Sequence, residues 1–173
     1  MSQMIKQSAT PCSVVAPGVA SQTLDRVVHA ALASVPGFSY AGVSIVYRDG
    51  WVDTVAATDR LVWDIHALQF AFDEGPYLAA MLEDPVVIAP DLASDLRWPQ
   101  YGLEAAERIG LKSQIALRVY VDEDTLGVLS LYSTQSTVIA PDAVQTAERF
   151  ANHAALAMGR PAMFEVPSLL LAG

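Results

Sequence analysis

The sequence has 173 residues, 53% of them hydrophobic and only 17% charged, which suits one domain with a sizeable core and excludes a disordered chain. The formal net charge is −9, from 10 basic and 19 acidic residues, and Lys6 and Lys112 are the only lysines. No basic face is therefore expected for direct contact with nucleic acid or an anionic membrane.

The single cysteine, Cys12, has no partner for an internal disulfide or a zinc site and fits a reducing compartment. No basic segment followed by an apolar run marks a signal peptide, and no stretch approaches the roughly 18 apolar residues of a membrane span. A cytoplasmic location is expected.

Residues 1–18 carry Pro11, Pro17 and Gly18 among polar residues and read as a flexible tail. Leu24, Val27, Val28, Ala31, Leu32 and Val35 then follow the spacing of an amphipathic helix from Ser21. Pro36-Gly37 ends it. Tyr40–Tyr47 and Trp51–Thr58 read as strands joined by Arg48-Asp49-Gly50, a hairpin signal.

Asp59–Phe72 is mixed and expected to hold a short helix, and Asp73-Glu74-Gly75-Pro76 breaks the chain. Proline suits a first helical turn, so a further helix is expected from Pro76 to about Leu82. Val86-Val87-Ile88 is a short strand between prolines, Asp91–Pro99 an acidic loop, and Tyr101–Ile109 a helix stopped by Gly110. Ser113–Val121 and Thr125–Ser133 form a second hairpin around Asp122-Glu123-Asp124. Asp142–Met158 is the second long amphipathic helix, and residues 161–173 form a C-terminal tail.

The expected fold is α/β of the α+β type, as one domain over residues 19–160. A central antiparallel sheet carries the long N- and C-terminal helices on one face, with loops and short helices over the other.

The run Gln69-Phe70-Ala71-Phe72-Asp73-Glu74-Gly75-Pro76-Tyr77, followed by Leu78-Ala79-Ala80-Met81, resembles a segment of bacterial GAF domains. Pro90-Asp91-Leu92, Arg97-Trp98-Pro99, Gly110-Leu111-Lys112-Ser113, the strand Leu126–Tyr132 and Ala151-Asn152-His153-Ala154 fit the same family in the same order. The likeness spans about residues 20–160. It is greatest to the GAF portion of regulators in which an RNA-binding ANTAR domain follows. No ANTAR segment is seen before Gly173, so RNA binding is not carried over.

The resemblance implies a ligand held between one sheet face and the segments covering it. By position, the ligand-binding candidates are Trp63, Gln69, Phe70, Glu74, Tyr77, Asp91, Trp98 and Ser113. Aromatics with a few polar groups suit a small planar or apolar ligand, and equally suit a packed core under a loop-rich cap. Gly75-Pro76 reads first as a turn opening a helix. His29, His66 and His153 form no metal-ligand pair, although His66 lies in the covering segment, where some sensor GAF domains use a histidine for haem.

No catalytic residue, metal site or identified cofactor is expected. No nucleophile elbow, phosphate loop or dinucleotide motif occurs. Tyr77 stands where close relatives often carry cysteine, so thiol chemistry is not expected there.

In the family the terminal helices commonly build a dimer interface, which implies a homodimer through helices 21–35 and 142–158. Helix 142–158 is rich in alanine, and small residues permit close approach to the sheet or to a second copy. Three readings follow. The first is a non-enzymatic sensor or regulatory domain that binds a small molecule and signals through dimer or protein-partner contacts. The second is a ligand-free scaffold for such contacts. The third is a GAF-fold methionine sulfoxide reductase, for which Cys12 is a lone thiol.

Overall fold

The computed structural model describes residues 6–7, 19–120, 123 and 125–158. Its elements are β1 (Lys6–Gln7), α1 (Val19–Ser34), β2 (Tyr40–Tyr47), β3 (Trp51–Ala57), α2 (Leu61–Phe72), α3 (Pro76–Leu82), β4 (Val86–Ala89), a 3-10 turn (Leu92–Ser94), α4 (Pro99–Ile109), β5 (Ser113–Tyr120), β6 (Thr125–Ser133) and α5 (Ala143–Ala157).

Among the described residues six strands form one sheet in the order β1-β3-β2-β6-β5-β4. The two hairpins, β2–β3 and β5–β6, meet where β2 pairs with β6, Tyr40 opposite Tyr132 and Tyr47 opposite Thr125. Every pair among β2 to β6 is antiparallel, as expected. The addition is β1, whose Lys6 and Gln7 run parallel to Trp51 and Val52 of β3. A two-residue strand carries no hydrophobic alternation, so nothing local marks it. The rest of the N-terminal tail, with Cys12, and the C-terminal tail lie outside the described residues.

Alternation along the strands builds two cores. On one face α1 and α5 lie side by side, α1 burying Leu24, Val28 and Ala31, and Val35 just beyond its end, against Val43, Ile115, Leu117, Leu129 and Leu131. The alanine stripe of α5 faces inward: Ala143, Ala147, Ala151 and Ala154 are buried in this core. Small side chains bring the helix axis close to the sheet.

The opposite face is covered by α2, α3 and α4, whose Val62, Ile65, Tyr77, Leu78, Met81, Tyr101 and Ala105 are buried against it. The covering helix α2 is a full 12 residues and starts at Leu61. Close approach of this cover depends on Gly42, where an added Cβ would stand 2.6 Å from Val62 Cγ1.

The outer edge of the sheet at β4 is closed by a side chain. Arg97 Nη2 donates to the Ile88 carbonyl at 2.8 Å and to Asp95 Oδ2 at 2.7 Å, and the guanidinium lies 4.1 Å over the Trp98 ring.

Candidate functional site

The covered face of the sheet is polar at its centre. Gly42 and Ser44 of β2, Ser130 and Tyr132 of β6, and Gln114 of β5 share it, with Gly42 opposite Ser130 and Gln114 opposite Tyr132. A β-bulge between Val43 and Ser44 makes Val55 the extra residue of β3 and sets Thr54 opposite Ser44. Above them α2 presents Val62, Ile65, His66 and Gln69, the i, i+3, i+4, i+7 face of a helix.

These residues form one buried hydrogen-bond network. His66 Nε2 lies 2.7 Å from Tyr132 Oη, and His66 Nδ1 lies 3.0 Å from Thr54 Oγ1 and 3.4 Å from Ser44 Oγ. Ser44 Oγ and Thr54 Oγ1 are 3.0 Å apart. The imidazole is fully enclosed, and this desolvation pulls its pKa from 6.5 down to about 3, so it is neutral at physiological pH. With both nitrogens engaged, His66 presents no lone pair to a metal. The Tyr77 ring stacks on it with centroids 4.6 Å apart and planes at 27°. Burial raises the pKa values of Tyr77, Tyr101 and Tyr132, keeping all three phenols protonated.

Four buried polar atoms around this network lack a partner: Gln69 Nε2, Tyr77 Oη, Gln114 Nε2 and Ser130 Oγ. Tyr77 Oη lies beside Ser44 and Tyr132 Oη beside Ser130, each serine hydroxyl favouring the phenolate, but no hydrogen bond of normal geometry joins either pair. Each unmet group costs about 1–3 kcal/mol and calls for a ligand, a water or a functional reason.

Of the predicted residues, the fold gathers Gln69, Phe70 and Tyr77 here. Gln69 Oε1 accepts the Tyr77 backbone N–H at 2.9 Å, and half-buried Phe70 meets the Tyr77 ring edge-on at 5.8 Å. Glu74 stands at the rim as a cap. Its Oε2 accepts the backbone N–H groups of Gln100 and Tyr101, at 2.9 and 3.0 Å, in the first turn of α4. Trp98 is buried at the start of α4 under Arg97. Trp63 is half-buried, off the inward face of α2.

Two predicted residues lie apart. Asp91 is exposed ahead of the 3-10 turn. Ser113 alternates onto the face of Ile115 and Leu117, where its hydroxyl donates to the Ser136 carbonyl at 2.8 Å. Its neighbour Gln114 takes the covered face instead and accepts the Tyr101 hydroxyl at 2.7 Å. Ser44, Thr54, Gln114, Ser130 and Tyr132 are absent from the candidates that the sequence offers. Ser44, Ser130 and Gln114 are polar breaks in apolar strands, the local signal that marks such positions.

A groove of about 480 Å3 runs between α2 and α4, lined by Leu61, Asp64, Ala67, Leu68, Ala71, Arg108 and Ile109. None of the predicted site residues lines it. Among the described residues no group of three or more His, Cys, Asp or Glu is placed to hold a metal ion. No helix among them is long and apolar enough to cross a membrane.

The antiparallel sheet, the paired terminal helices and the covered polar face agree with the sequence match: the GAF domain profile aligns with residues 20–159. The chain belongs to the GAF domain family. Solved structures of similar fold include the GAF domain region of a Geobacter sulfurreducens PCA protein, at TM-score 0.63 and 17% identity, covering 80% of this chain and 91% of that one. Type II free methionine-R-sulfoxide reductase from Thermoplasma acidophilum matches at TM-score 0.60 and 12% identity, covering 80% and 92%. The phycocyanobilin-bound GAF domain of a cyanobacterial phytochrome matches at TM-score 0.59 and 13% identity, covering 82% and 85%. At these identities the likeness shows the GAF fold alone. No curated protein matches the sequence.

Proposed function

We propose that this GAF domain is a non-enzymatic sensor that binds a small molecule in the covered chamber around His66. The observation that carries the reading is the set of unpartnered, fully buried groups Gln69 Nε2, Tyr77 Oη, Gln114 Nε2 and Ser130 Oγ. Such groups are rare in folded proteins, and a bound molecule would supply their partners. The segment through Glu74-Gly75-Pro76 likens the chain to the GAF portion of ANTAR-linked regulators, which fits a regulatory role. Output through a homodimer of α1 and α5, or through a protein partner, fits their position on the sheet face opposite the chamber.

The test is native mass spectrometry and thermal shift on the purified protein against a metabolite panel and cell extract. A ligand that stabilises the native protein, and loses this effect in Ser130→Ala and Gln114→Ala variants, supports the chamber. Stabilisation that survives both substitutions puts the ligand elsewhere.

A second reading, a ligand-free scaffold, is favoured by the filling of the chamber with the rings of His66, Tyr77 and Tyr132. It expects partner or self-association with no small-molecule response. The reductase-like neighbours keep a third activity in view. Residues 19–158 contain no cysteine, so turnover of free methionine-R-sulfoxide would have to depend on Cys12. An assay of the protein beside its Cys12→Ser variant decides this.

A further inference from the structure

We infer that Tyr77 is a built-in occupant of the chamber, holding the place of a neutral hydroxylated aromatic ligand that displaces it on binding. The inference rests on the sensor reading above and adds to it both the ligand class and the movement.

The Tyr77 ring is the one element of the chamber placed by stacking and not by its own polar group. Tyr132 and His66 bind each other at 2.7 Å, and Tyr101 is held by Gln114 at 2.7 Å. Tyr77 instead stacks on the imidazole with centroids 4.6 Å apart and planes at 27°, its hydroxyl unpaired in a fully buried position. A flat ring is therefore already accepted on His66, and its hydroxyl leaves a hydrogen-bond deficit that a better-placed ligand can fill. Spare capacity remains at Gln69 Nε2, Gln114 Nε2 and Ser130 Oγ.

Local chain geometry suits movement of this side chain. It sits in the first turn of the seven-residue α3, two residues after Gly75, whose φ of 131° is a conformation that L side chains rarely adopt, with Pro76 between them. Half-exposed Phe70 lies edge-on to the ring, with centroids 5.8 Å apart.

Charge decides the ligand class. No fully buried side chain of the described residues is ionised: the buried polar set is Ser44, His66, Gln69, Ser113, Gln114, Ser130 and Ser133, with His66 neutral. The guanidinium on the same sheet face, Arg118, donates through Nε to the Ala80 carbonyl at 2.7 Å. An ionised ligand would meet no fully buried counter-charge, and the half-buried Arg118 already engages the Ala80 carbonyl, whereas a neutral phenol matches both the stacking surface and the amide and hydroxyl groups.

The test uses phenol and benzene as probes on the wild-type protein and on Tyr77→Ala, with calorimetry for affinity. Fluorine NMR of 3-fluorotyrosine protein reads Tyr77, assigned through Tyr77→Phe. The expected result is phenol binding to Tyr77→Ala at least about tenfold tighter than to wild type, because the variant has no ring to expel. Phenol is expected to outbind benzene by about tenfold for a gained hydrogen bond. In wild type, phenol should shift the Tyr77 resonance toward its solvent-exposed position.

Equal affinity for phenol and benzene overturns the ligand class. Failure of folded Tyr77→Ala to bind phenol overturns the occupancy, as does a wild-type Tyr77 resonance that phenol leaves unmoved. If Tyr77→Ala does not fold, the wild-type resonance alone decides. A metabolite that binds the chamber while Tyr77 stays in place sinks the displacement and leaves the sensor reading standing.

Discussion

His66 Nε2 and Tyr132 Oη are 2.7 Å apart, and their residues stand 66 positions apart in the chain, so this bond ties the covering helix α2 to the central strand β6. Both side chains are fully buried, so neither can exchange its partner for water. Replacing either with phenylalanine should cost about 1–3 kcal/mol in urea unfolding, because the remaining group is left unpaired. The double variant should cost less than the sum of the two, with a coupling of at least about 0.5 kcal/mol. Strict additivity would show that the bond contributes nothing to holding the cover.

Acid should unfold the protein through the same imidazole. The folded-state pKa of His66 lies near 3 against 6.5 when free, so below pH 6.5 the unfolded chain takes up a proton that the native state refuses. Stability is full above pH 6.5 and falls toward pH 3, by up to about 1.4 kcal/mol per pH unit from this group. His66→Phe should flatten that part of the stability–pH curve. At the alkaline side Tyr77, Tyr101 and Tyr132 keep protons that the unfolded chain loses above pH 10. Stability should fall again there, with tyrosinate absorbance from these residues rising only as the protein unfolds.

Glu74 caps a helix from outside it. Glu74→Ala removes the acceptor of two backbone N–H groups of α4 and should lower stability by about 1 kcal/mol, with Glu74→Gln retaining part of it. Hydrogen exchange at Gln100 and Tyr101 reads the effect locally. Unchanged protection in Glu74→Ala would mean that water replaces the cap at no cost.

Gly75→Ala combines two penalties, the positive φ of 131° and a Cβ driven into the Gln69 side chain. A loss of about 2 kcal/mol or more is expected. Adding Gln69→Ala should recover the steric share and leave the backbone share, a division that chemical denaturation of the three variants measures.

The proposed dimer can be tested on its outer face. Leu156 of α5 is 49% exposed on the sheet face opposite the chamber. Leu156→Arg should shift a sedimenting dimer to monomer without changing thermal stability at low concentration. A wild-type protein that sediments as a monomer at high concentration removes the helix-mediated dimer.

Much of this fold was legible because its signals are local. Alternation marked both hairpins, Pro76 opened α3 where expected, and Gly110 closes α4. The site was less legible, because its parts meet only in three dimensions. Gln69 and Tyr77 lie in one covering segment that is continuous in the chain, but the bulge that aims Thr54 at His66 depends on strand pairing. Ser113 and Gln114 are neighbours, and alternation puts Ser113 on the face of α1 and α5 and Gln114 on the covered face, a distinction set by strand register. Glu74 is a ligand-binding candidate by position, and its carboxylate engages backbone that follows 26 residues later, which no local signal marks.

The hold of Arg97 on the Ile88 carbonyl has a consequence for assembly. A strand arriving from another molecule would need that carbonyl as an acceptor, and would first have to strip a guanidinium also bonded to Asp95 and stacked on Trp98. Polymerisation by strand addition is thereby discouraged at this rim, even though Leu96 beside it is 91% exposed.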